Sequence, residues 1–183
     1  MAHILNPIAI ATQVVENPSN GGGDFLQAPG AWKGKIEEPE IRALPSANGT
    51  PFKGFTSTDG EMLSFRLGDN VGLDGQPEMG ARKKFVDLTL RDGAYDLGTP
   101  LSDLPKEAWQ LQRSQLALVR IADALGQTTK DGDMTVVDPE FVDAFVEGQF
   151  NGQEVGYIVY HGKEYEKKGV KTRDALIQTY FPA

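Results

Sequence analysis

The sequence predicts a mainly β fold with some α, on three observations. Extended segments alternate apolar and polar residues, one long stripe of apolar residues recurs at helical spacing, and two further strands follow it, joined by a lysine-rich loop. Strand, strand, strand, long helix, short helix, strand, strand is the order of a five-stranded OB-fold barrel with both helices between its third and fourth strands. That order marks places to look, because function resides in sites rather than in folds.

Residues 1–24 read as a flexible N-terminal arm ahead of an OB-fold domain spanning 25–183. Pro18, Ser19 and Asn20 followed by Gly21, Gly22 and Gly23 break the chain, and Pro29 with Gly30 turns it into the first strand. The run IAIATQVV inside the arm is suited to strand pairing, to docking on a neighbouring subunit, or to disorder. The first strand, AWKGKIEEPEIRAL from residue 31, is long and polar, and Pro39 predicts a bend, an edge or a bulge within it.

A loop over residues 45–61 leads to the second strand, MLSFRL at 62–67, with Leu63, Phe65 and Leu67 on the core face and Ser64 and Arg66 on the other. A second glycine-rich loop, GDNVGLDGQPEMG, precedes the third strand, FVDLTLR. There Val86, Leu88 and Leu90 point inward, and Phe85, Asp87, Thr89 and Arg91 point outward.

Ser102, Asp103 and Pro105 form a helix start. Leu104, Ala108, Leu111, Gln115, Leu118, Ala122 and Leu125 then make the stripe that lies across the barrel bottom, with Gly126 as the stop. Asp138 and Pro139 open the second helix, EFVDAFVEG, which Gly148 ends, and Trp109, Phe141 and Phe145 are expected in the core. The fourth strand runs from about Gln153 to Tyr160, where Gly156 allows close approach or sharp coiling. The fifth lies within 175–181, and the loop between them corresponds to one that OB folds close over a ligand.

Composition excludes several chemistries. The chain of 183 residues has no cysteine, which removes disulfides, thiolate metal sites and a thiol nucleophile. Its two histidines, His3 and His161, have no neighbours at metal-ligand spacing, and His161 reads as a loop residue. Asp131, Asp133 and Asp138 lack the sixth-position glycine of a calcium loop and are assigned to turns and a helix cap. There is no phosphate-binding GxxxxGK[ST], no HExxH and no GxSxG. No enzyme activity, metal or cofactor is therefore expected. No apolar run reaches the roughly 18 residues of a membrane span, and the N-terminus lacks a basic signal-peptide region, so a cytoplasmic protein without a membrane partner is expected.

Charge distribution gives the functional lead. The net charge of −8 opposes general attraction to polyanions. Two windows run against it: ARKKFVDLTLR at 81–91 holds Arg82, Lys83, Lys84 and Arg91 against Asp87, and HGKEYEKKGVKTR at 161–173 holds Lys163, Lys167, Lys168, Lys171 and Arg173 against Glu164 and Glu166. Each carries a surplus of three cations, which suits either a basic groove on an acidic body or two ordinary solvated loops. With Arg66, Phe85 and Arg91 on one strand face, Lys83 and Lys84 at its edge and Tyr165 among the loop cations, the pattern is that of a base-stacking, phosphate-holding surface.

The runs FLQAPGAWKGKI, ALVRIADALG and NGQEVGYIVYHGKEYEKKGVKTRDALIQTYFP together resemble a family of small bacteriophage proteins similar to single-stranded-DNA-binding proteins. The shared features are an entry strand after a Pro-Gly turn, a central helix ending in Leu-Gly, and a closing strand, basic loop and strand. The resemblance implies an OB fold and single-stranded DNA binding with little sequence preference in phage replication, recombination or repair. The partners it allows are single-stranded DNA, a second copy of the chain, and replication or recombination proteins. Many such proteins end in an acidic tail, whereas this chain ends in TYFPA, so recruitment through a tail is not expected. Two alternatives stand beside that reading: a structural protein such as a virion component or oligomerising adaptor, and an OB domain for a peptide, an oligosaccharide or a small nucleotide.

Overall fold

The computed structural model describes residues 26–76 and 78–183. The expected N-terminal arm, with IAIATQVV and His3, lies outside the described residues. The elements in chain order are β1 (Gly30–Ala43), a small hairpin of β2 (Ser46–Ala47) and β3 (Thr50–Pro51), β4 (Gly60–Gly72), β5 (Lys84–Asp92) and β6 (Tyr95–Asp96). Two single 3₁₀ turns, Leu101–Asp103 and Lys106–Ala108, lead into helix α1 (Trp109–Ala124). A hairpin of β7 (Thr128–Asp131) and β8 (Met134–Val137) and the short helix α2 (Phe141–Val146) follow. The chain closes with β9 (Glu154–His161), the hairpin β10 (Tyr165–Lys167) and β11 (Val170–Thr172), and β12 (Ala175–Pro182).

The fold is mainly β, with 46% of the described residues in strands against 18% in helices, and its main sheet curls strongly into a half-barrel. Six antiparallel strands lie in the order β12-β9-β1-β4-β5-β6. The first strand is therefore central, pairing with β4 on one side and β9 on the other, which its length of 14 residues permits. Its inward positions Trp32 and Ile36 are fully buried, beside Leu63, Phe65 and Leu67 of β4 and Val155, Tyr157 and Val159 of β9. The alternation expected for the second strand is thus the one observed.

Pro39 marks a real irregularity. Between Glu37, opposite Arg66, and Glu40, opposite Ser64, β1 holds one residue more than β4, and Glu38 takes a φ of +51°. A proline cannot donate to the ladder, so the strand accommodates it by bulging. Gly156 makes the close approach its position suggests: a Cβ there would lie 2.2 Å from the Phe181 ring across the β9–β12 pair.

Several expectations need correction. The stretch after Leu67 is not yet a loop, because β4 continues to Gly72 through a second pairing with β1 at Val71 and Gly72. The α-helix begins at Trp109 rather than at Pro105, after the two 3₁₀ turns. Trp109 is only half-buried, with the Arg113 guanidinium 5.7 Å from its ring centroid and its ring against Gly54. Thr89 is buried although its parity places it outward, since α1 packs over β5 and Ser114 Oγ accepts the Thr89 amide hydrogen at 2.7 Å. Gln115 interrupts the apolar stripe usefully: its amide donates to the carbonyls of Leu97 and Thr99 and so ties the β6 loop to the helix. The two helices end as expected at Gly126 and Gly148, with φ of +71° and +85°.

His161 closes β9 instead of lying in a loop, and its Nε2–H donates to the Gln27 carbonyl at 2.9 Å. Burial pushes its pKa below the ordinary histidine range, and the nearby cations Arg173 and Lys84 act in the same direction against the Gln27 carbonyl. The neutral ring is thus favoured by folding. That contribution is complete above the unfolded pKa of about 6.5 and is lost as pH falls below it toward the folded value. On going from about pH 7.5 to about pH 5, the thermal midpoint of the native chain is expected to fall further than that of His161→Gln, which keeps a donor and cannot titrate. Equal shifts in both proteins would show that the imidazole is not the group responsible.

Among the described residues, no helix is long and apolar enough to cross a membrane, and no group of three or more metal-ligating side chains is assembled. Asp138 acts at a helix start, its Oδ1 accepting the Glu140 amide hydrogen at 3.0 Å.

Candidate nucleic-acid interface

The outer face of β4 and β5 brings Arg66 and Phe85 together, because the strand register sets them directly opposite each other. Phe85 is 64% exposed, and the Arg66 guanidinium lies 4.9 Å from its ring centroid. The expected aromatic and cation therefore form one unit, with the cation lying on the face that a base would use.

The same register delivers two carboxylates to that unit. Glu37 is opposite Arg66 on β1, and the bulge projects Glu38 over the face, where its Oε2 lies 2.5 Å from Arg66 Nη1. Lys83 reaches Glu37 at 2.7 Å and Glu38 at 3.6 Å. The hydrogen bond to Glu37 is the main reason that its pKa is raised. Gly68 makes room for this pairing, since a Cβ there would fall 2.2 Å from Glu37 Oε1. These carboxylates are the part of the surface that sequence reasoning missed. The EEPE run was visible, but only strand register shows that it faces the cations.

Arg91 does not join Arg66 and Phe85. It lies at the opposite end of β5, where its guanidinium contacts both Asp59 carboxylate oxygens at 3.2 and 3.3 Å and donates to the Gly93 carbonyl. That pair holds the Asp59 carboxyl below its usual range. Lys84 is turned away from solvent, and its ammonium donates to the Ala175 carbonyl at the start of β12. Burial lowers its pKa, opposed by Asp174. Its immediate role is to tie the third long strand to the fifth.

The lysine-rich loop is a hairpin. Tyr165 pairs with Thr172 and Lys167 with Val170, leaving Lys168 and Gly169 as the two turn residues at φ of +53° and +77°. Positive φ at both central positions is the type I′ geometry that suits a two-residue hairpin. Tyr165 donates its hydroxyl to Asp174 Oδ1 at 2.7 Å, fixing the base of the hairpin. Lys171 and Arg173 share Glu164 at 3.7 and 3.8 Å. Lys163, Lys167 and Lys168 are exposed and, among the described residues, form no ion pair.

The two basic windows therefore differ in state. The strand-face cations are compensated by Glu37, Glu38 and Asp59, while the hairpin retains uncompensated charge. The first window's Lys83–Phe85 end lies near the hairpin, because Lys84 bonds to Ala175 just beyond it. Comparison with protein-family models, with curated proteins and with solved structures finds no match for this chain.

Proposed function

We propose that this protein is an OB-fold binder of single-stranded DNA with little sequence preference. The sheet order supports the fold assignment. Numbering the long strands by sequence, the sheet runs fifth, fourth, first, second, third, as expected for a partly open five-stranded Greek-key barrel. In that assignment the face of β4 and β5, the loop at residues 44–59 and the hairpin at 162–174 are the surfaces on which OB folds hold oligonucleotides.

The observation that carries the reading is the hairpin joining the fourth and fifth long strands. It places Lys163, Lys167 and Lys168, which form no ion pair among the described residues, at the end of the barrel where Phe85 is exposed. On a chain of net charge −8, such a local surplus favours a ligand with closely spaced anions. An aromatic at the same end adds a stacking surface that every base can use. On this reading the activity would serve phage replication, recombination or repair, as the resemblance noted in the sequence implies.

The test is fluorescence anisotropy of a labelled oligo-dT across a salt series, with a duplex of equal length as competitor. Binding that weakens steeply with salt and resists the duplex supports the reading. Absence of binding at low salt overturns it and favours a structural or adaptor role.

Glu38 makes a second expected result specific to this surface. Its carboxylate holds Arg66 against Phe85 and repels an approaching phosphate, so Glu38→Gln is expected to tighten oligo-dT binding about threefold, the scale of one unit charge several ångströms away in water. Stability should change little, because the pair is exposed. Unchanged affinity in the same titration would place the DNA away from Arg66.

A further inference from the structure

The half-barrel does not close. The outer edges of β5 and β12 face each other across a gap covered by α1, which packs on both. A cleft of about 730 Å³ remains between β5, α1 and β12, a size typical of ligand sites. Its charge is unlike that of the molecule as a whole: Lys84, Arg113 and Arg120 line it against Asp87 alone among the described residues.

The two arginines are available. Arg113 lies over the Trp109 ring and, among the described residues, has no carboxylate partner, while Arg120 gives one N–H to the Gln178 carbonyl at 3.3 Å. Both are exposed and sit seven residues apart on α1, about 10 Å along one side of the helix. Asp87 is partly satisfied from β4, where Ser64 Oγ donates to its Oδ1 at 2.6 Å. Phe85 and Tyr160 supply aromatic surface to the same cleft, and Phe85 also belongs to the outer strand face.

A peptide adding as a new strand is disfavoured here. Its hydrogen-bonding edges are partly taken: the Thr89 N–H by Ser114, the Ala175 carbonyl by Lys84 and the Gln178 carbonyl by Arg120. Exposed guanidinium groups without carboxylate partners, in a cleft that also holds aromatic side chains, suit phosphates and unpaired bases instead.

We infer that this cleft continues the nucleic-acid path: a single strand passing the lysine hairpin and Phe85 enters it and sets phosphates on Arg113 and Arg120. The inference rests on the single-strand reading and adds a second segment to its footprint. A short oligonucleotide held by the hairpin and Phe85 need not reach α1, whereas a long one must.

The experiment measures anisotropy of oligo-dT of about six and about twenty nucleotides, bracketing the range of OB footprints, on the full chain and on Arg113→Gln with Arg120→Gln. For the long oligonucleotide the double variant is expected to bind about tenfold more weakly near 0.15 M salt, with a log–log salt slope shallower by about 1.4. The short one should bind as before. Gln178→Glu, which removes no cation and alters an exposed position, should also weaken only the long oligonucleotide. If the native chain binds both lengths but the variants match it on the long one, the cleft inference is overturned and the single-strand reading stands. Equal losses on both lengths also overturn it, since the arginines would then act only through the overall field. If the native chain binds neither length, the single-strand reading fails and takes the inference with it.

Discussion

Reversing the charge of the hairpin through Lys167→Glu, Lys168→Asp and Lys171→Glu is expected to weaken oligo-dT binding by at least about tenfold at physiological salt. Each lysine that meets a phosphate releases a counterion, and removing three such contacts alone costs a factor of about 50 near 0.15 M on a single strand. Reversal adds repulsion. The fold should survive, because all three side chains are exposed and Lys171 shares only a long contact with Glu164, at 3.7 Å. Aspartate is chosen at 168 because that residue has a φ of +53° and is followed by Gly169, and Asp-Gly is favoured in a type I′ turn. The accompanying salt series is as informative as the affinity, since its slope should become shallower by about 2 if all three lysines contact phosphate. Unaltered affinity and slope would remove the hairpin from the binding surface.

This prediction uses a feature that sequence reveals well, while the strand face shows where sequence reading stops. The hairpin's cations are local: Lys163 to Arg173 lie within one connection, so their density is visible without knowledge of the fold. Arg66 and Phe85 were also legible, because period-two alternation anchored by Leu63, Phe65 and Leu67 on one strand and by Val86 and Leu88 on the next fixes the outward residues. Their compensation was not. Glu37 and Glu38 become neighbours of Arg66 only through the pairing of β1 with β4 and the bulge at Pro39, and the proline signals a bulge without saying where the carboxylate beside it points.

The burial of Thr89 is not legible in sequence for a related reason. Alternation assigns Thr89 to the outside of a sheet assumed to have solvent there, yet α1 covers that side at the open edge of β5 and brings Ser114 to its amide. The same packing makes the cleft. Arg113 and Arg120 lie outside both basic windows in sequence, and tertiary packing alone brings Arg113, Arg120 and Lys84 into one cleft. Local density finds a charged loop; it cannot find a charged groove assembled from a helix and two strand edges.

Phe145→Ala is expected to destabilise the protein by about 3–5 kcal/mol, the usual cost of truncating a fully buried phenylalanine. Phe145 is 1% exposed and packs edge-on against Phe65 and Phe141, with ring centroids at 5.0 and 5.7 Å, and against Phe150 at 5.9 Å. A helix of six residues such as α2 is too short to persist alone in water, so this aromatic cluster is what fixes it on the sheet. Removing one ring leaves three others facing a void and loosens α2 at the same time. Phe145→Leu should cost far less, because it retains most of the apolar volume. Urea unfolding is the direct measurement: the midpoint should move strongly for alanine and little for leucine, at similar slopes if both remain two-state. A small shift for alanine would show that α2 can detach without loosening the sheet. Because Phe65 faces inward while its neighbour Arg66 lies on the outer face, oligo-dT affinity of the folded fraction should be unchanged, which separates loss of folding from loss of the binding surface.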